Sequence, residues 1–412
     1  MSQRSKRRRM DTQPGVLGIG SNLATGGLCQ SATELEKNSW NGFCEIESEP
    51  ALFNVMLREF GVQGVKVQEV VSLDDEMMAF LNEPVYGLIF LFRWREDDPD
   101  KQEASCPEGL WFANQTAGNA CASVALLNIV NNIEGIDLGE NLQHFKDFTM
   151  PFTPALRGDA INNFEFVKRV HNSFARKMDM LNVDLQLKNE ATSKRSRSGK
   201  KGYDDYEMNA GFHFIAFVPA MGKVWKFDGL ERQPQALGEC SHDDWLSLVK
   251  PNILTRMAEY EEDQIEFSIL SLVRDPLLDH IDKLAVNVKC LEIVNERMAN
   301  AETCSQSVFV DSKFEDTILG PDLSYALTRE GIDAAMLDGQ GQEYQICPPE
   351  ELAKHQQTLR NMQRELRAAI KEEQQSHQAD DDYAAGRRYD YGPAVRAWVH
   401  SLARKRVIES LS

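Results

Sequence analysis

Residues 113–123 read ANQTAGNACAS: two amides, Gln115 and Asn119, lie within six residues of a cysteine, Cys121, where a run of small residues turns strongly apolar. The following stretch, CASVALLNIVNNI, repeats apolar residues at Ala122, Ala125, Leu126, Ile129 and Val130. That is helical spacing, so Cys121 is expected in the first turn of a buried helix. If Asn119 caps this helix, its free N–H groups and dipole favour a thiolate at Cys121. Gln115 supplies a neutral N–H donor just upstream, and a turn at Gly118 would fold it beside the cysteine. With the Cys121 backbone N–H it makes two donors for a developing oxyanion. The plain alternative is a small buried hydrophobe, the commoner use of a free cysteine.

The chain carries 8 cysteines in 412 residues with no CxxC pair, so zinc spacing is absent and neither a metal nor an organic cofactor is expected. The basic start, MSQRSKRRRM, leads into a polar, glycine-rich stretch rather than the apolar core of a signal peptide. The longest apolar run, VYGLIFLF at 85–92, is far short of the ~20 residues that span a bilayer. The expectation is a soluble protein with free thiols in a reducing compartment, cytoplasmic and nuclear. A formal net charge of −19 disfavours general nucleic-acid binding. Basic clusters at 4–9 and 194–201 are local exceptions; the first is either a nuclear import signal or an ordinary solvated charge run.

Residues 1–38 lack periodicity and are expected to be a disordered basic, glycine-rich arm. From 39 to 274 the pattern alternates between helix and strand, as in one mixed α/β domain. PALFNVMLREFG makes an apolar helical stripe that stops at Gly61. PVYGLIFLFRWR is a buried strand, GFHFIAFVPAMGKVWKFDGL a hairpin and QIEFSILSLV a last strand. From 275 to 412 a helical extension is expected. It has heptad seams at Leu277 to Leu291 and Leu352 to Ala369, a polar insert at 299–347, and a terminal segment at about 380–412 with Val395, Trp398, Val399 and Leu402 at helical spacing.

A nucleophilic cysteine needs a base. Of eight histidines, His213 alone occupies a strand, between Phe212 and Phe214. An even hairpin loop centred on Ala220 and Met221 puts Asp228 directly across from His213, on the same face of the sheet, where a carboxylate fixes the tautomer and orientation of a base. A core histidine satisfied by a neighbouring carboxylate needs the same geometry, so proximity to Cys121 separates the two readings.

Four blocks, WNGFCEIESEPALFNVMLREFG, NQTAGNACAS, VHNSFAR and FHFIAFVPAMGKVWKFDGL, appear in order and resemble the ubiquitin C-terminal hydrolase family (peptidase family C12), in its long, proteasome-associated branch. The resemblance covers about 39 to 274. It implies a papain-like, knotted α/β fold, and it implies Gln115 for the oxyanion, Cys121 as nucleophile, His213 as base and Asp228 as the orienting acid. It further implies that the long connection from Phe145 to Phe166 is a crossover loop arching over the site, with the tail of ubiquitin threading beneath it. The C-terminus, RRYDYGPAVRAWVHSLARKRVIESL, resembles the branch's partner-docking domain, implying a proteasomal ubiquitin receptor or a chromatin polycomb-type subunit as partner.

The expected function is therefore a deubiquitinating cysteine hydrolase acting at the C-terminal glycine of ubiquitin. Its rivals are a thiol hydrolase for another ubiquitin-like modifier and a non-catalytic ubiquitin-binding scaffold. The full set Gln115, Cys121, His213 and Asp228 argues against the scaffold, which has no need of all four.

Overall fold

A computed structural model describes residues 31–94, 98–196, 211–240, 244–258, 267–302, 317–337 and 339–404. In chain order it contains α1 (Glu34–Ser39), α2 (Pro50–Phe60), β1 (Val65–Glu69), α3 (Asp75–Met78), β2 (Val85–Arg93), α4 (Cys121–Val130), α5 (Gly139–Thr149), α6 (Pro154–Asn163), α7 (Glu165–Asn172), α8 (Lys177–Ser196), β3 (Phe212–Ala220), β4 (Lys223–Phe227), β5 (Gln235–Glu239), α9 (Trp245–Ala258), β6 (Ser268–Arg274), α10 (Pro276–Glu302), α11 (Arg329–Ala334), α12 (Gly339–Ile346), α13 (Pro349–Arg388) and α14 (Gly392–Arg404).

The strands form one antiparallel sheet in the order β1-β6-β2-β3-β4-β5. Successive side chains of β3 leave on opposite faces. Phe214, Ala216 and Val218 enter the main core with α2 and α4, while Ile215 and Phe217 enter a second core under α9 around Trp245 and Val249. Burial on both faces explains why these strands read as unbroken apolar runs instead of alternating. Helix α4 is apolar on nearly every side and is buried from Ala122 to Val130, which makes it the central rod of the main core.

The hairpin register differs from the sequence expectation by two residues. Ala220 pairs with Lys223, so the turn is Met221-Gly222. Both take positive φ, 54° and 74°, the requirement of a two-residue hairpin turn with the twist of its strands. Continuing that register by one residue sets Asp228 opposite Ile215. His213 and Asp228 are therefore diagonal neighbours on one face, not a directly facing pair.

Three further expectations change. Helix α1 lies inside the stretch expected as a disordered arm. Thr33 and Glu36 close a capping box on it, and Lys37 donates to Ser173 O at 3.0 Å; residues 1–30 and the cluster at 4–9 lie outside the described residues. The segment from Phe145 to Phe166, expected as a crossover loop, is built of helices α5, α6 and α7; Pro154 starts α6 at a position where a missing N–H costs nothing, with Thr153 accepting from Leu156 N. The insert at 299–347 carries α11 and α12, and its Tyr325, Leu327 and Ile332 are buried against α10; residues 303–316 lie outside the described residues, as does most of the basic stretch at 191–203.

The two heptad seams find each other. Leu284, Val288 and Leu291 of α10 and Leu352 and Leu359 of α13 are buried in two clusters along the helical extension. The far end of α13 then returns to the α/β domain. Ala384 is fully buried in the main core, and Lys66–Glu373 (2.7 Å), Arg58–Asp381 (2.6 Å) and Arg388–Glu59 (2.6 Å) flank it. Most of these charges are partly exposed, so each ion pair contributes roughly 0–1 kcal/mol and the apolar contact fixes the docking. Among the described residues, no helix is long and apolar enough to cross a membrane.

Candidate active site

Cys121 is the first residue of α4, as its spacing predicts, but Asn119 is not the cap. The N-cap is Ala120, and no side chain caps the helix. Asn119 instead takes the left-handed conformation, φ 60°; asparagine is the non-glycine residue best suited to it. The helix start is thus left with backbone N–H groups that no cap side chain occupies, which preserves the donors and the positive end of the dipole at Cys121.

His213 Nε2 lies 2.7 Å from Asp228 Oδ1, and each residue is only 4 % exposed. Asp228 Oδ1 also accepts from Leu230 N at 2.9 Å, which fixes the carboxylate beyond the end of β4. With Nε2 turned to Asp228, Nδ1 is the ring nitrogen left for Cys121, whose side chain hydrogen-bonds His213. Burial disfavours the imidazolium, but hydrogen bonds and charge from Asp228 and Cys121 outweigh it and raise the His213 pKa to about 9. Burial likewise works against the Asp228 carboxylate, yet the His213 contact holds its pKa below the ordinary value. The arrangement keeps a proton on the imidazole beside the Cys121 sulfur.

Gln115 packs against Gly229, the residue that follows Asp228. Its backbone N–H donates to Gly229 O at 2.8 Å and its Nε2 to Ala117 O at 3.0 Å, which leaves a second Nε2 hydrogen unused. A Cβ at Gly229 would lie 3.1 Å from Gln115 Cβ and N, so the segment just after Asp228 packs directly on the donor. Gly158 of α6 does the same from the other side: a Cβ there would lie 2.2 Å from Asn114 O, a contact no side chain tolerates. These two glycines escape a motif reading, because their role is close approach between segments distant in sequence.

Cys121 opens into a cavity of about 390 Å³ lined by Glu47, Asn119, Asp179, Phe212 and Phe214. Arg387, from the end of α13, closes one side, bonded to Glu47 (2.9 Å) and Asp179 (3.0 Å). Nothing in the sequence marked Arg387, since only the return of a 40-residue helix brings it there. Another cavity, about 510 Å³ between α10 and α13, also contains a cysteine and a histidine, Cys290 and His280. They lie ten residues apart on one helix, an axial separation of ~15 Å, so they form no catalytic pair. His171, expected to be structural, is fully buried and bonded to Ser123 (2.7 Å) and Cys44 O (2.8 Å); burial pushes its pKa down to about 4. One group of potential metal ligands stands among the described residues, Asp275, Glu373 and His377. Its atoms are already engaged, His377 with Asp275 at 3.0 Å and Glu373 with Lys66, and it lies away from Cys121 at the α13 docking face.

Over 234 residues, 57 % of its length, the chain is 37 % identical to ubiquitin carboxyl-terminal hydrolase isozyme L5 of Dictyostelium discoideum, covering 62 % of that protein. It is 38 % identical over 241 residues to ubiquitin carboxyl-terminal hydrolase ubh-4 of Caenorhabditis elegans, covering 58 % of this chain and 68 % of that one. The matched region is thus about two thirds of each relative. Among solved structures, the Trichinella spiralis UCH37 catalytic domain bound to ubiquitin vinyl methyl ester is similar, with 32 % identity, a TM-score of 0.46, and coverage of 57 % of this chain and 96 % of that one. The family ubiquitin carboxyl-terminal hydrolase, family 1, matches residues 43–258, just over half of the 412 residues and including every side chain of the site except Arg387. The chain belongs to that family.

Proposed function

We propose that this protein is a thiol hydrolase that cleaves ester, peptide and isopeptide bonds at the C-terminal glycine of ubiquitin, with Cys121, His213, Asp228 and Gln115 as its working residues. The single observation that carries this reading is the buried Asp228–His213 pair with the partly exposed Cys121 against it at an uncapped helix start, in a chain of this family. His213 holds the proton of Cys121, and the thiolate attacks the glycine carbonyl carbon. Charge developing on the carbonyl oxygen is met by the free Nε2 hydrogen of Gln115 and the Cys121 backbone N–H. As the C–N bond breaks, His213 gives its proton to the leaving amine and a thioester remains. Water, deprotonated by His213, then attacks the thioester and releases ubiquitin with a free carboxylate.

A fluorogenic amide on the ubiquitin C-terminus, compared with the same amide on other ubiquitin-like modifiers, tests the reading. Turnover of ubiquitin well above the others supports it. Preference for another modifier gives the substrate to that modifier, and binding without turnover leaves a scaffold. Gln115→Ala is expected to lower kcat by ~100-fold or more, about 2.7 kcal/mol, with KM little changed. A loss confined to KM would make Gln115 a binding residue.

We further infer that the helical extension docks a proteasomal ubiquitin receptor or a polycomb-type chromatin subunit. Support comes from α14, whose Val395, Trp398 and Val399 are exposed at 52 %, 64 % and 44 % on one helix that also carries Arg396 and Arg404. A chain ending at Arg274 is expected to turn over a small ubiquitin ester yet to lose these partners in affinity capture. Recovery of the same partners by both forms would remove the docking role.

A further inference from the structure

The segment that carries Gln115 has an unusual support. Residues 110–115 run extended but belong to no strand of the sheet, so their buried backbone groups need partners elsewhere. Side chains supply them. Asn132 accepts from Trp111 N (3.0 Å) and donates to Trp111 O (2.7 Å). One turn earlier in α4, Asn128 accepts from Ala113 N (2.8 Å) and donates to Ala113 O (3.2 Å). The match is geometric: four residues of helix advance ~6 Å, and two residues of extended chain ~6.6 Å. The opposite edge belongs to Arg157 of α6, which is 4 % exposed and whose Nη1 donates to Leu110 O (3.0 Å) and Phe112 O (3.1 Å). Its Nε and Nη2 donate to Thr149 O (3.1 Å) and Met150 O (2.6 Å), where α5 leads into α6.

We propose that Asn128, Asn132 and Arg157 are positioning residues for the oxyanion donor, a frame of side chains that stands in for two neighbouring strands. Asn128 belongs to the helix that begins at Cys121 and Asn132 to the turn that ends it, so nucleophile and donor move as one body. Arg157 locks α6 and the end of α5 to the same segment, so that these helices cannot shift without moving Gln115. This rests on the hydrolase reading given above, and it adds residues that touch neither the substrate nor Cys121.

The test uses the purified full chain with Asn132→Ala and Asn128→Ala, each alone and combined with Gln115→Ala, on the ubiquitin C-terminal amide. Misplacing the donor is expected to lower kcat by about 10-fold for either asparagine, with KM within about twofold. In the Gln115→Ala background the same substitutions should cost less than about twofold, because the group they position is gone. Alkylation of Cys121 by iodoacetamide, which develops no carbonyl oxyanion, should stay within about twofold. Equal losses in both backgrounds, or a parallel fall in alkylation, would make the asparagines general supports of the fold and overturn the proposal. Asn132 is half-buried and carries the test if Asn128→Ala loses its thermal transition. A parent chain without ubiquitin turnover sinks the hydrolase reading and this proposal together, whereas an active parent with additive variants sinks the proposal alone.

Discussion

Cys121→Ala is expected to reduce hydrolysis of a ubiquitin C-terminal ester or amide by roughly 10⁵-fold or more, the scale on which removal of a nucleophile acts. Ubiquitin affinity should stay within a few-fold. Alanine fits the position: Cys121 is only partly buried, it starts a helix between Ala120 and Ala122, and alanine is the best helix former. Loss of turnover in a folded, ubiquitin-binding variant is then a chemical loss. The other described thiols are poor substitutes. Burial pushes the Cys44 pKa up to about 12 and raises those of Cys106 and Cys240, while Cys290 and Cys347 are buried in the helical extension. Substantial residual turnover, measured with the thermal transition intact, would move the chemistry to a different cysteine.

Asp228→Asn is expected to be the next most damaging change, lowering kcat by about 10³-fold at neutral pH, by analogy with triads in which the acid becomes an amide. The direction follows from His213. Burial alone lowers its pKa, and the contacts with Asp228 and Cys121 reverse that and bring it to about 9. Because the folded value exceeds the unfolded one of about 6.5, the protonated ring contributes stability that is complete below pH ~6.5 and is lost as pH rises through about 9. Without the carboxylate, burial is opposed by Cys121 alone and the His213 pKa falls. The parent enzyme should hold its rate up to an alkaline limb near pH 9, and Asp228→Asn should shift that limb downward as well as lowering the plateau. Parallel profiles at reduced height would mean that Asp228 orients the ring without setting its charge. Unchanged rates across the profile would remove it from the mechanism.

The chemistry was more legible than its setting. Helical spacing after Cys121 and the apolar run around His213 place both residues on the correct elements, because buried helices and strands leave strong periodic signals. The Asp228 contact was reached through a register two residues off, and it survived because a shift of two preserves the face while a shift of one reverses it. The capping expectation failed for a local reason: an asparagine before a helix suits a left-handed turn as well as a cap, and spacing does not choose between them. Asn128 and Asn132 carried an overlooked signal, amides four residues apart at the end of an apolar helix and in the turn after it, where unsatisfied polar groups would be costly. The helices between Phe145 and Phe166 were hidden by Pro151, Pro154 and Gly158, which mark breaks; yet Pro154 starts a helix and Gly158 makes room for Asn114. Arg387 was out of reach, since its place depends on α13 returning across the whole extension.

In this mechanism Cys121, and no other thiol, attacks the carbonyl group at the end of ubiquitin. Reaction of the full chain with a ubiquitin vinyl methyl ester probe, read by intact mass and by mapping the modified peptide, tests it most directly. The expected result is a single adduct of one probe per chain, located on Cys121, slowed by Asp228→Asn and absent in Cys121→Ala. An adduct on another cysteine, or a folded parent chain left unmodified, would contradict the claim.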